Sequence, residues 1–134
     1  LNSRAPIGIA GLGRLLKAGA LFVTAWLLFV SVSFAAPPEL NYRFYCAQCH
    51  GLTGVGDGPN ATRHQPVAPR NFTSAPEMSA LTDAGIILAI GRGGGAVARS
   101  TLMPPFASTL TEEEIIELKD YLRRLCRCSG PETP

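Results

Sequence analysis

Residues 46–50 read Cys46-Ala47-Gln48-Cys49-His50, and this pentapeptide restricts the fold more than any other feature of the chain. C-x-x-C-H is the attachment signature of a c-type haem. The spacing has a mechanical reason. Two cysteines three apart on a helical turn can each form a thioether to one porphyrin vinyl group, and the adjacent histidine then comes under the iron. The other ring nitrogen of that histidine should donate to a backbone carbonyl, which sets its tautomer and ring plane. Three alternatives compete. A thioredoxin-like pair should follow a strand in a βαβ unit, whereas here a short amphipathic segment, residues 38–45, comes first. A zinc knuckle needs more Cys or His at paired spacing. His64 is the only other histidine, and Cys126 and Cys128 lie far off. A plain disulfide between Cys46 and Cys49 is the simplest alternative.

Charge is unevenly spread. Of 134 residues only 16% are charged, against roughly 25% in ordinary soluble domains. Residues 18–36 contain no ionisable side chain, and the 17 residues before them carry Arg4, Arg14 and Lys17 with no acid. The 98 residues from position 37 onward hold nine basic and ten acidic side chains. A net charge of +2 excludes a polyanion binder that works by bulk charge, so no nucleic acid is expected as a partner. As a helix the uncharged run would reach about 28 Å, close to the hydrocarbon thickness of a bilayer. It fits a secretory signal with a passable cleavage site at Ser33-Phe34-Ala35, or a retained anchor. The anchor is carried forward because the run has the length a span needs. The expected organisation is a cytoplasmic basic leader (1–17), a transmembrane anchor or uncleaved signal segment (18–36) and a globular domain (37–134). The positive end stays in the cytoplasm, which puts the globular domain on the outer, periplasmic side of the cytoplasmic membrane.

The motif set resembles class I monohaem cytochromes c of the bacterial periplasmic kind. The resemblance covers most of residues 38–125. It rests on Cys46-Ala47-Gln48-Cys49-His50, Gly54-Val55-Gly56-Asp57-Gly58-Pro59, Leu102-Met103-Pro104-Pro105-Phe106 and a closing helix through Tyr121-Leu122. It implies an all-α fold: a small helical bundle around one haem c, covalent through Cys46 and Cys49, with the first and last helices crossing near the attachment turn. It implies one-electron transfer with redox proteins, among them subunits of a membrane complex, by a carrier rather than an enzyme. The alternative is a haem enzyme or gas sensor with a labile sixth ligand for peroxide, nitric oxide or carbon monoxide.

The iron ligands expected are His50 and Met103. Met103 lies 53 residues beyond His50, room for the chain to pass around the haem, and Pro104-Pro105 stiffens the loop after it. The resembled family sets its distal methionine in the same Met-Pro context. Met78 sits in the polar stretch Ala75-Pro76-Glu77-Met78-Ser79 and is expected to pack or lie at the surface. His64, between Arg63 and Gln65, reads as a solvated loop residue. By the same resemblance, the Pro59 carbonyl accepts from the axial histidine.

The rest of the domain reads as support. Residues 38–50 form a helix whose Tyr42, Phe44 and Tyr45 would face the haem and the last helix. The segment through Pro66, Pro69 and Pro76 is irregular. Thr82 caps a short helix to Ile90. Gly91-Arg92-Gly93-Gly94-Gly95-Ala96 matches G-x-G-x-x-A, but with a helix before it and a loop after, which excludes the dinucleotide reading. Those glycines would end the helix and let backbone approach the haem edge. Thr111-Glu112-Glu113-Glu114 is a capping box. Ile115, Leu118, Leu122 and Leu125 form one buried stripe. Arg123, Arg124 and Arg127 follow at the helix's negative end. Arg70, Arg92 and Arg99 are candidates for the haem propionates, with surface exposure the simpler reading for at least two of them. Cys126-Arg127-Cys128 reads as free or locally oxidised thiols and has no assigned role.

Overall fold

A computed structural model describes residues 36–131. The basic leader and, apart from Ala36, the expected anchor lie outside these residues. Among the described residues there is no strand, and no helix is long and apolar enough to cross a membrane.

The first helical run, α1 (residues 38–50), opens with Pro38 in its first turn, where the missing N–H costs nothing. It is α-helical over Pro38–Asn41, widens to a π turn over Tyr42–Cys46, and returns to α over Ala47–His50. The wide turn is closed by the Ala47 N–H donating to the Tyr42 carbonyl. Gly51, at φ +79°, ends the run. After a long irregular segment come the single turn α2 (Ala75–Met78), α3 (Asp83–Arg92), a 3₁₀ turn over Gly94–Val97, and α4 (Glu112–Cys126).

Local chemistry sets these ends. The Thr82 hydroxyl accepts from the Gly85 N–H at 3.0 Å and starts α3. At α4 both halves of the capping box form: Glu114 N–H donates to Thr111 Oγ1 at 3.2 Å, and Thr111 N–H to Glu114 Oε2 at 2.9 Å. Helix α3 runs through Gly91 and Arg92, further than the apolar pattern indicated. Gly91 lies inside the helix, beside Ile115 of α4.

Helices α1 and α4 cross on Tyr42, whose side chain is fully buried and whose ring lies 5.1 Å from that of Tyr121. Asn41 Nδ2 donates to Glu114 Oε1 at 3.3 Å, and Arg124 pairs with Glu39 at 3.0 Å. The buried stripe of α4 is Ile115, Leu118, Leu122 and Cys126. Leu125, expected in it, is half-buried and packs instead over Gly54.

Arg123 points inward rather than merely facing the helix's negative end. Its guanidinium, with a tenth of the side chain exposed, donates to the carbonyls of Met78 at 2.7 Å and Leu81 at 2.6 Å and pairs with Asp83 at 2.7 Å. One side chain thus fastens the segment between α2 and α3 to α4.

Candidate functional site

Every element contributes to one cavity of about 710 Å³, a size ordinary for a cofactor site. Cys46, Cys49 and His50 line it from α1, Ile86 and Ile90 from α3, and Leu118 and Leu122 from α4. The irregular segments supply Phe72, Met103 and Phe106. The lining is mostly apolar, with the arginines Arg70 and Arg99 at the wall.

His50 is held in two ways. Its Nδ1 lies 3.0 Å from the Arg70 carbonyl oxygen. A carbonyl only accepts, so Nδ1 carries the proton, and in the neutral ring Nε2 keeps its lone pair. The Phe72 ring stacks on the imidazole, with centroids 4.2 Å apart and planes 19° apart. Burial holds the histidine below the usual imidazole range; the bond to Arg70 opposes that only in part. A buried, neutral, oriented imidazole is what a metal centre asks of a ligand.

Sequence reasoning missed this clamp, for the only role it gave the segment from Pro66 to Pro76 was the Arg70 side chain as a candidate for a propionate. Two glycines bring that segment up. Gly54 (φ +86°) offers its carbonyl to the Phe72 N–H at 2.6 Å. Gly56 (φ +90°) lies so close to the other segment that a Cβ there would sit 2.6 Å from the Pro69 carbonyl oxygen. Its own N–H donates to the His50 carbonyl at 2.8 Å. Tyr42 closes the far side, donating from Oη to the Gly51 carbonyl at 2.7 Å.

The expected acceptor for His50, the Pro59 carbonyl, is therefore corrected to that of Arg70. Pro59 is exposed and does not line the cavity. The reason is local. Gly58 N–H bonds back to Cys49 O at 3.1 Å and Asn60 N–H to Gln48 O at 2.8 Å, which folds Pro59 against the last turn of α1.

Burial pushes the Cys46 thiol up to about 12, with Cys49 adding to it. Redox-active C-x-x-C pairs rely on a depressed thiol pKa. Helix rather than strand precedes the pair as well, so both requirements of the thioredoxin-like alternative fail. Among the described residues no group of three or more His, Cys, Asp or Glu is placed to hold a metal ion.

Both methionines line the cavity. Met78 is fully buried in the core, deeper than its polar neighbours indicated. Met103 is half-buried on a loop tied to the end of α3. Its carbonyl accepts from Gly94 N–H at 3.1 Å, and further on Phe106 N–H donates to Ile90 O at 3.0 Å. The glycines after α3 thus admit the backbone of the Met103 loop, an approach the sequence had directed at the haem edge. His64 is an exposed loop residue. Of the three arginines, Arg92 is exposed and does not line the cavity. Tyr45 lines it, 5.8 Å from the Phe106 ring, whereas Phe44, expected to face inward, is 77% exposed. Phe44 lies two positions after Tyr42, and residues that far apart on a helix point to different sides, so it falls off the face that Tyr42 buries.

A family model described as cytochrome c oxidase, cbb3-type, subunit III matches residues 34–122, and the chain belongs to that family. Among solved structures, the KustC0563 c-type cytochrome is 28% identical over 67% of this chain and 98% of its own, with a TM-score of 0.50. A chain of the Kuenenia stuttgartiensis reducing HAO-like protein complex Kustc0457/Kustc0458 is 27% identical over 72% of this chain and 49% of its own, with a TM-score of 0.54. No curated protein matches. The domain is a class I monohaem cytochrome c. Its donor set fits the covalent haem c that the family implies: paired thiols and a positioned imidazole on the wall of an apolar cavity.

Proposed function

We propose that this chain is a one-electron carrier whose haem c is held by Cys46 and Cys49 and ligated by His50 and Met103. The carrying observation is His50, fixed by the Arg70 carbonyl and the Phe72 ring on the cavity wall that Cys46, Cys49 and Met103 also line. Bound haem supplies reversible one-electron exchange at its iron, and the thioether of a methionine ligand raises its potential. The chain's own residues do the rest. Arg70 and Phe72 hold the imidazole plane. Ile86, Ile90, Leu118 and Leu122 exclude water, which disfavours the extra charge of the ferric state. Arg70 and Arg99 offer guanidinium groups to the propionates.

The working partners are redox proteins. A similar chain in a reducing HAO-like complex and a family described by an oxidase subunit both support work inside a larger assembly. The anchor at residues 18–36 would keep the domain on the outer face of the cytoplasmic membrane and concentrate it near membrane partners.

The test is spectroscopic. The denatured full-length chain should keep its haem absorbance after acid-acetone extraction, and the native ferrous form should not bind carbon monoxide at neutral pH. Loss of the absorbance sinks the carrier; ready carbon monoxide binding favours the enzyme or sensor alternative.

A further inference from the structure

Cys126 and Cys128 are joined in a disulfide at the end of α4, with only Arg127 between them. We infer that this pair is a thiol–disulfide exchange site whose co-substrate is an accessible dithiol on a partner protein. The inference is independent of the haem.

Four observations carry it. A bridge across one intervening residue closes almost no chain, so it removes little entropy from the unfolded state and is a poor structural staple. Arg127 at φ +51° is the left-handed cap of α4, with its N–H on the Arg124 carbonyl at 3.2 Å and the Cys128 N–H on the Arg123 carbonyl at 3.3 Å, so the main chain holds this turn without the bridge. The two sulfurs differ in access: Cys126 is 5% exposed, while Cys128 is half-buried and lines a shallow basic depression with Arg123, Arg124 and Arg127. Both sulfurs also have partners waiting in the reduced state. The Arg123 carbonyl lies 3.3 Å from Cys126 Sγ, an acceptor for a thiol, and Arg123 Nη1 lies 4.0 Å from Cys128 Sγ, a cation for a thiolate.

The order of events follows from access. A partner thiolate attacks Cys128 Sγ; the bond to Cys126 breaks, and its electron pair leaves on Cys126, which takes a proton beside the Arg123 carbonyl. The partner's second thiolate then attacks the partner sulfur of the mixed disulfide. Cys128 departs as a thiolate 4.0 Å from Arg123 Nη1, a cation beside the charge it takes on. The partner leaves as a disulfide, and the chain has gained two electrons and one proton, with Cys126 a thiol and Cys128 a thiolate.

The test uses the full haem-loaded chain with dithiothreitol as the dithiol. Maleimide labelling with peptide mapping counts Cys126 and Cys128 apart from Cys46 and Cys49. The expected result is label on both Cys126 and Cys128 after native reduction, with circular dichroism unchanged, and none after reoxidation. In single variants, the free Cys128 of Cys126→Ser should label about tenfold faster than the free Cys126 of Cys128→Ser, as exposure beside a cation requires. Labelling without reductant, labelling only after unfolding, or equal rates in the two variants would each overturn the inference.

Discussion

The imidazole of His50 lies flat against the phenyl ring of Phe72, 4.2 Å between centroids, while its Nδ1 faces the carbonyl oxygen of Arg70 two residues earlier. One short segment therefore fixes both the tilt and the rotation of the ring. Phe72 is 8% exposed and also meets Tyr42 edge-on at 6.3 Å, so it joins the histidine to the α1–α4 crossing.

Replacing that ring separates packing from positioning. Phe72→Ala should cost about 3–5 kcal/mol, the range for truncating a buried phenylalanine. Phe72→Leu keeps most of the volume and should cost about 1.5 kcal/mol or less. Both remove the flat face against His50. Urea unfolding gives the first effect. Paramagnetic NMR of the haem-loaded leucine variant gives the second, as a changed imidazole orientation in a folded protein. A leucine variant with unchanged shifts would show that the Arg70 bond alone sets the ring.

The approach of the two segments hangs on Gly56. At φ +90° an alanine is disfavoured by about 1–2 kcal/mol from backbone strain alone. Its Cβ would also meet the Pro69 carbonyl oxygen at 2.6 Å. Gly56→Ala should therefore push residues 69–72 away and weaken the His50–Arg70 bond, with a loss above that of strain alone. Gly95→Ala is the control: it has negative φ and only Thr101 Cγ2, at 3.5 Å, in its way. It should be nearly silent in thermal unfolding.

These contacts explain what could be read beforehand. Thr82 and the Thr111–Glu114 box act within one helical turn, so their spacing reveals them. The stripe of α4 repeats regularly and is legible up to Leu122. His50 was legible through its two cysteines, but its acceptor was not. A main-chain carbonyl 20 residues away leaves no side-chain signature, and the resemblance pointed to Pro59 instead. Phe72 in a proline-rich stretch has no periodicity to flag it. Arg123 looks like any cation at a helix end, and only the fold shows three acceptors gathered around it. The neighbours of Met78 did not decide between packing and the surface, because α2 is a single turn, too short for a polar face to be told from a buried one; the fold puts it in the core.

Arg123 and Asp83 make different predictions about pH. The side-chain hydrogen bond from Arg123, with Lys119 assisting, holds the Asp83 carboxyl below its usual 3.8. A depressed carboxyl stabilises the fold above that usual value and loses the effect as pH falls through the lowered one. Asp83 is half exposed, so Asp83→Asn should cost less than about 1 kcal/mol at neutral pH, and the gap to the parent protein should close in acid. Arg123→Ala strands the carbonyls of Met78 and Leu81, a loss of about 2–4 kcal/mol that persists in acid, and adds the same pH-dependent part, because Arg123 is the main cause of the Asp83 shift. Urea titrations of both variants at neutral and acid pH separate the two parts. A deficit for Asp83→Asn that grows in acid would contradict the ion pair.

Met78 and Met103 line the same cavity, so the choice of iron ligand between them is a matter for substitution. Leucine conserves volume at either position, and each change should cost about 1.5 kcal/mol or less. Their positions differ in what else holds them. Met78 is fully buried, with its carbonyl bound by Arg123 at 2.7 Å, and its side chain belongs to the core. Met103 is half-buried on a loop whose backbone is tied to Gly94 and stiffened by Pro104-Pro105, which fixes the loop without using the sulfur. Met103→Leu should therefore leave the fold intact, turn the ferric spectrum high-spin, open the ferrous form to carbon monoxide and lower the reduction potential. Met78→Leu should leave all three unchanged and register only as a small shift in the unfolding midpoint. If the two variants exchange behaviours, the core methionine is the ligand and the Met-Pro-Pro loop is a lid over the cavity.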